Sequence, residues 1–249
     1  MRYFEVLLAG LGIGIVFGMF GAGGSAFATP ILALIGIPAV IAVASPLPAM
    51  LPASVAGARR YLRSGNLDTR IAKLAVVGGI PGTVIGALVS RYVSGNALLV
   101  LSGVMLLVVG ARVLLPDSKN HEDRSAARRE RSGLVIAATF VVGFLTGLLA
   151  NGGGFLLVPL FVVVLGLTTV KAAGTSMVAV GVLTIPTLVT HWALGHIDWP
   201  VAVVFALGVV PASLLGARIS EHLPAERSRK AFGVLLVAFA IWFLIRKLG

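Results

Sequence analysis

The stretch Gly18-x-x-Gly21-Ala22-Gly23-Gly24, closed by Pro30, recurs 129 residues later as Gly147-x-x-Ala150-Asn151-Gly152-Gly153, closed by Pro159. Both copies lie inside apolar runs. The echo continues with Gly65-Asn66-Leu67-Asp68 against Gly195-His196-Ile197-Asp198, with Pro81 and Gly86 against Pro211 and Gly216, and with Gly103 against Gly233. An internal repeat of roughly a hundred residues, broken by glycines where a helix would otherwise continue, is the pattern of a membrane transporter built from duplicated halves.

Composition names the solvent. Hydrophobic residues make up 58% of the chain and charged ones 12%, against about 25% charged in soluble domains. Apolar stretches at 74–90, 97–115, 133–150, 199–217 and 231–245 are long enough to cross a hydrocarbon core of about 30 Å. The net charge of +11 sits in loops without aromatic interleaving, so it does not imply nucleic acid. The first apolar run follows only Arg2 and reads as a retained membrane segment. No cysteine is present, which excludes thiol catalysis, disulfides and thiolate metal sites.

The expected fold is an all-α polytopic membrane protein of two inverted-topology repeats. The first repeat is 1–115, a polar linker covers 116–132, and the second repeat is 133–249. Each holds about five membrane-embedded pieces: 3–20, 25–37, 38–62, 69–90 and 96–115, then 133–150, 154–166, 168–190, 199–217 and 229–246. The second piece of each is short, since thirteen helical residues rise only about 20 Å. It either crosses or forms a return hairpin with its neighbour, and in both cases the copy makes an odd number of net crossings.

Loop charge tests that parity. Segment 59–73 holds Arg59, Arg60, Arg63, Arg70 and Lys73, whereas its counterpart 188–200 holds no Lys or Arg. Conversely, 90–97 holds only Arg91, and its counterpart 218–230 holds Arg218, Arg227, Arg229 and Lys230. Equivalent loops with opposite charge bias belong on opposite sides of the membrane. The linker, with five basic residues from Lys119 to Arg131, joins the cytoplasmic set, and both termini are expected to face outward.

In such a transporter the ligand binds near the midplane, where interrupted helices expose backbone donors. The glycine runs are the first candidates, with Gly23, Gly24, Ser25, Asn151, Gly152, Gly153 and Gly154 offering main-chain approach, side-chain donors and helix N-termini suited to an anion. A second polar break is expected in the third piece, at Gly174-Thr175-Ser176 in one copy and Ser45-Pro46-Leu47-Pro48 in the other. Ser45, Thr175 and Ser176 either face the same cavity or bond to the preceding turn. Lys171 either snorkels to the cytoplasmic interface or attracts an anion. Gly10, Gly14, Gly18, Gly143 and Gly147, spaced at four, read as helix-packing positions. Asp68 and Asp198 read as N-caps. His191 and His196 lie near the outer face, where a lone histidine senses pH or is merely interfacial.

No acidic residue lies deep in a span apart from the candidate Glu5. HExxH, GxSxG and phosphate-loop motifs are absent, so no enzyme activity, metal or cofactor is expected. At Gly21-Ala22-Gly23-Gly24…Pro30, Asn151-Gly152-Gly153-Gly154…Pro159, Ala173-Gly174-Thr175-Ser176 and His191…Gly195-His196-Ile197-Asp198-Trp199, the chain resembles the TauE/SafE sulfite exporter family over nearly its whole length. That resemblance implies a bacterial inner-membrane permease for sulfite, sulfonates or similar small anions. The first copy departs from it, with Ser45-Pro46 where the second has Gly174-Thr175. The residues alone leave open a passive anion channel, or a membrane scaffold whose basic loops bind anionic lipid. They do not name a coupling ion (a proton among them), the direction of transport or an oligomeric state.

Overall fold

The computed structural model describes residues 2–20, 26–115, 132–150, 154–222 and 224–248. Its regular structure among these residues is entirely helical. The first half contains α1 (Arg2–Met19), α2 (Ala28–Leu34), α3 (Ala39–Ala44), α4 (Leu47–Arg63), α5 (Thr69–Ser90) and α6 (Gly95–Leu114). The second contains α7 (Ser132–Leu149), α8 (Gly154–Pro159, continued by a π turn over Leu160–Val164), α9 (Thr169–Ala193), α10 (Trp199–His222) and α11 (Ala225–Leu248). Among the described residues seven helical segments are long and apolar enough to cross a membrane, α3 and α4 counting together as Ala39–Arg63. This is a multi-pass membrane protein, and large side chains such as Leu207, Ile245 and Val77 stand exposed on its apolar flanks.

Glycine explains how the helices approach one another. A methyl group at Gly10 would stand 2.7 Å from the Phe205 carbonyl oxygen, one at Gly14 2.6 Å from that of Val209, and one at Gly18 would strike that of Ser213. Residue numbers rise together along this seam, so α1 and α10 run parallel. The second seam repeats the design: Gly78, Gly82 and Gly86 on α5 meet the carbonyls of Ile136, Phe140 and Phe144 on α7, and Gly143 would stand 2.5 Å from the Gly79 oxygen. Small residues at every fourth position let backbones touch where apolar side chains gain nothing over lipid. The packing role expected for the spaced glycines is what the structure shows.

Equivalent helices of the two halves cross antiparallel. Gly57 abuts Met177, Gly181 would hold a methyl 2.9 Å from Ser54 Oγ, and Gly174 abuts Tyr61 and Asn66. Numbers fall on α9 as they rise on α4. The same reversal joins α6 to α11, where Gly103 meets Leu244, Gly110 meets Leu236, and Gly233 meets Leu114. One end of the bundle therefore carries the α4–α5 turn, the start of α7 (Ser132 Oγ lies 3.3 Å from Arg70 Nη2) and the start of α9. It gathers Arg59, Arg60, Arg63, Arg70, Lys73, Lys171, Arg218 and Lys230, and is here called the basic end. Tyr3, Tyr92, Trp192 and Trp199, all exposed, mark the opposite, aromatic end. Trp192 packs edge-on against Trp199 at 5.8 Å and Arg91 lies 4.4 Å over Tyr92.

These directions settle the short pieces. Helix α7 ends toward the aromatic end and α9 begins at the basic end, so the described residues 154–168 return toward the basic end. By the same reasoning the described residues 26–38 return toward the aromatic end between α1 and α3. The short pieces are crossings, not return hairpins. The repeat spacing changes inside them: Pro30 and Pro159 are 129 apart, whereas Gly36 and Gly166, both at positive φ (88° and 63°), are 130 apart. The π turn at Leu160–Val164 absorbs the extra residue. The Ile35 N–H bonds back four residues to Ile31, whereas the equivalent Leu165 N–H bonds back five to Leu160.

One expectation is corrected. Helix α9 runs without a break through Gly174-Thr175-Ser176, because each of these residues keeps its N–H. Gly174 serves close contact with Asn66. In the first half Pro46 and Pro48 remove two donors, and helical regularity lapses at Ser45-Pro46 before resuming in α4.

Candidate functional site

Gly23, Gly24, Ser25, Asn151, Gly152 and Gly153 lie outside the described residues, as does the linker up to Arg131. Gly154 is the first residue of α8. The elements flanking the runs are clear: α1 stops at Met19 beside α10, and α7 stops at Leu149 beside α5 and α9. Phe20 and Phe27, on either side of the first run, meet α11: Phe20 stacks on Phe232 at 4.8 Å and Phe27 packs edge-on against Phe239 at 5.0 Å. The residues on both sides of the first run therefore pack on the second half.

Ser45, Thr175 and Ser176 are fully buried, and their hydroxyls meet protein. Thr175 Oγ1 donates to the Lys171 carbonyl at 2.7 Å and accepts the Asp68 N–H at 2.9 Å. Ser176 Oγ donates to the Ala173 carbonyl at 2.9 Å. Ser45 Oγ accepts the Asp198 N–H at 3.0 Å. The equivalence is thus Ser45 with Thr175, one residue later than the sequence alignment of the breaks implied. The two do not share a cavity. Thr175 lies level with the last turn of α4 and Ser45 just before its first, roughly 20 Å apart along the axis at 1.5 Å per residue.

Asp68 and Asp198 cap α5 and α10 as expected, accepting the N–H of Ile71 at 3.0 Å and of Val201 at 3.1 Å. Lys171 is half-buried in the first turn of α9 at the basic end, its N–H held 3.4 Å from Thr168 Oγ1. Glu5 is exposed in the first turn of α1, so it is not a deep carboxylate. Among the described residues no cluster of His, Asp and Glu could hold a metal ion.

What sequence reasoning missed is the centre of the α4–α9 crossing. Contacts pair residue 57 with 177 and 54 with 181, so the pseudo-symmetric midpoint falls near Pro52 on α4 and Val182 on α9. There Ser54, Thr184 and Thr187 are buried. Ser54 Oγ donates to the Leu51 carbonyl at 2.9 Å and Thr187 Oγ1 to that of Leu183 at 2.8 Å. Thr184 Oγ1 has no hydrogen-bond partner among the described residues. A buried hydroxyl left unpaired costs about 1–3 kcal/mol, so one at the midplane between two half-molecules marks a place for a polar visitor. Thr184 stands three residues after Gly181, on the same face. Threonine at helical spacing in an apolar run carries no sequence signal beyond that. The open grooves, of about 410 Å³ beside Pro186 and about 460 Å³ beside Trp199, are lined almost wholly by apolar side chains and open on the flanks.

The family model for the sulfite exporter TauE/SafE matches residues 6–243. A probable membrane transporter protein of Xylella fastidiosa is 27% identical, over 94% of this chain and 92% of its own length. The probable membrane transporter protein YunE of Bacillus subtilis is 24% identical over 95% and 93%. A probable sulfite/organosulfonate exporter, TauE, of Cupriavidus necator is 28% identical over 94% and 86%. No solved structure matches the chain.

Proposed function

The chain belongs to the sulfite exporter TauE/SafE family of membrane transporters, and from that premise we propose that it is a secondary transporter of a small anion, sulfite or an organosulfonate. The halves act as inverted repeats, rocking against each other around a midplane site. The observation that carries this reading is the antiparallel crossing of α4 and α9, with the Thr184 hydroxyl near its centre unpartnered among the described residues, and the glycine run in each half of the sequence supports it. A scaffold has no need to interrupt its helices, whereas a carrier uses such breaks to offer backbone donors to a solute. The glycine runs from Gly21 to Ser25 and from Asn151 to Gly154 would supply those donors, and helix N-termini favour an anion. The sulfur chemistry rests on the family and on the Cupriavidus relative's name.

The basic end faces the cytoplasm by the positive-inside rule, which places both termini outside a bacterial inner membrane. The test is anion flux into vesicles reconstituted with the full chain, using sulfite, sulfoacetate, taurine, sulfate, acetate and chloride. Saturable flux of a sulfur anion, lost in Gly153→Leu while the protein stays folded, is the expected result. Unsaturated electrogenic leak would make it a channel. No flux of any anion, with no ligand raising the thermal stability of the detergent-purified protein, would return it to the scaffold class.

A further inference from the structure

His191 and His196 meet where α7 stops. His191, in the last turns of α9, is buried, with Nε2 3.0 Å from the Gly147 carbonyl oxygen and Nδ1 3.1 Å from Nδ1 of His196. A carbonyl oxygen only accepts, so His191 Nε2 carries a hydrogen. In the neutral ring Nδ1 then accepts, and the hydrogen between the two rings belongs to His196. The geometry defines one directed chain, from His196 through His191 to Gly147.

The Gly147 carbonyl is a meaningful anchor. It lies in the last turn of α7, where carbonyls outnumber helical donors, and the Ala150 N–H reaches it only at 3.4 Å. Ala150 itself is held at φ 48°, a region unfavourable to a residue with a Cβ. The final turn of α7, immediately before the second glycine run, is thus held by His191.

The first half lacks this device. At the equivalent positions stand Tyr61 and Asn66, with the same backbone link (Asn66 N–H to the Tyr61 carbonyl at 2.9 Å, His196 N–H to that of His191 at 3.0 Å). Neither titrates near neutral pH. Other elements at this end add few ionisable groups. Helices α3, α7 and α8 carry none, α5 ends at Arg91 stacked on Tyr92, α1 brings Arg2 and the exposed Glu5, and α11 ends in the exposed Arg246 and Lys247, with Arg246 over the Trp242 ring. Asp198 turns its carboxylate to the Val201 N–H. The basic residues of α4 lie at the far end.

We propose that His191 and His196 form a one-proton site that couples proton occupancy to the seating of the α7 end, making the proton the coupling ion of the second half. The step balances without another reactant. A proton from water binds Nε2 of half-buried His196, the His196 Nδ1 hydrogen passes to Nδ1 of His191, and two ring hydrogens become three. His191 is then an imidazolium donating to Gly147 and to the newly accepting Nδ1 of His196. Release retraces the path. A helix C-terminus favours a cation, so moving the α7 end away removes that support, and by reciprocity the proton biases where the α7 end sits. The coupling role rests on the transport reading above; the proton site does not.

Two measurements separate these. The ¹⁵N spectra of histidine-labelled full chain in detergent, assigned among the chain's four histidines with single variants, report tautomer and proton uptake. An Nε2–H tautomer at His191, an Nδ1–H tautomer at His196, and a His191 titration that changes in His196→Asn are expected. The opposite tautomer at His196, or independent titrations, would overturn the site. In vesicles, an imposed pH gradient should change wild-type sulfite flux roughly tenfold, and His196→Asn, which installs the first half's residue, should lose that response. Sulfite speciation is common to both proteins and cancels. An equal response in the variant overturns the coupling. If the variant shows no net flux, retained exchange of labelled sulfite supports coupling, whereas lost exchange overturns it. No sulfite flux in the wild type counts against the transport reading, and the spectra still decide the proton site.

Discussion

Asp198 donates its backbone N–H to the hydroxyl of Ser45 at 3.0 Å, and Asp68 does the same to Thr175 at 2.9 Å. Each half thus lends a hydroxyl to the turn that starts the other half's fourth span. The two bonds lie at opposite ends of the molecule and tie the halves together twice. Each aspartate adds an N-cap, so a single turn both starts a helix and docks it on the other repeat.

Ser45→Ala and Thr175→Val should each lower stability by about 1–3 kcal/mol, because each leaves a part-buried N–H without its acceptor. The sites are far apart, so the double variant should be additive to within about 0.5 kcal/mol. Thr175→Ser should recover most of the loss. Thermal unfolding of the detergent-purified variants checks all three, and strong non-additivity would contradict the separation described above.

The glycine seams predict a sharp contrast among alanine substitutions. Gly18→Ala or Gly86→Ala drives a methyl into a backbone carbonyl across the seam, and overpacking of this kind costs about 1–3 kcal/mol. Gly12 has nothing within 4 Å of an added Cβ, so Gly12→Ala should be neutral or stabilising by up to about 1 kcal/mol from helix propensity. Unfolding midpoints should rank the three in that order.

Thr184→Val should split stability from activity. Replacing an unpartnered buried hydroxyl with a methyl of similar size removes a polar group whose burial costs about 1–3 kcal/mol, so the protein should become more stable. If the hydroxyl touches solute, flux should fall roughly tenfold, the worth of one hydrogen bond, and Thr184→Ser should retain it. Vesicle flux measured beside thermal unfolding shows whether the two move in opposite directions.

Burial lowers the pKa of His196 from its ordinary 6.5, and this turn lies outside the candidate spans. The sign follows from proton binding: below pH 6.5 the unfolded chain takes up a proton that the folded one resists, so unfolding is favoured. Its contribution is complete above that pH and is lost as pH falls through the folded pKa. The wild-type unfolding temperature should therefore fall more steeply on acidification than that of His196→Asn. Parallel curves would remove His196 from the pH dependence.

The class of the protein was legible in the order of its residues. Apolar runs interrupted at Gly21 and Ala150, with basic loops alternating between the copies, report which solvent each segment meets, and that is local chemistry. The N-caps at Asp68 and Asp198 and the packing glycines at intervals of four were readable for the same reason, since each rule acts within one or two turns. The centre of the site was not. Thr184 stands out only because Gly181 lets α4 approach and no partner among the described residues reaches its hydroxyl. Ser45 and Thr175 showed as polar breaks, but their partners lie 153 and 107 residues away in the chain.

The extra residue absorbed by the π turn, the unbroken course of α9 and the meeting of His191 with His196 at the end of α7 likewise depended on how distant segments pack. Sequence by itself determined that the chain enters a membrane, folds as helices and is duplicated, because hydrophobic length and periodic glycine act on each segment alone. Tertiary structure alone decided which equivalent helices touch, at which residues they cross, and which buried polar group meets which partner. A hydrogen bond depends on where two backbones arrive in space, and chain order does not contain that distance.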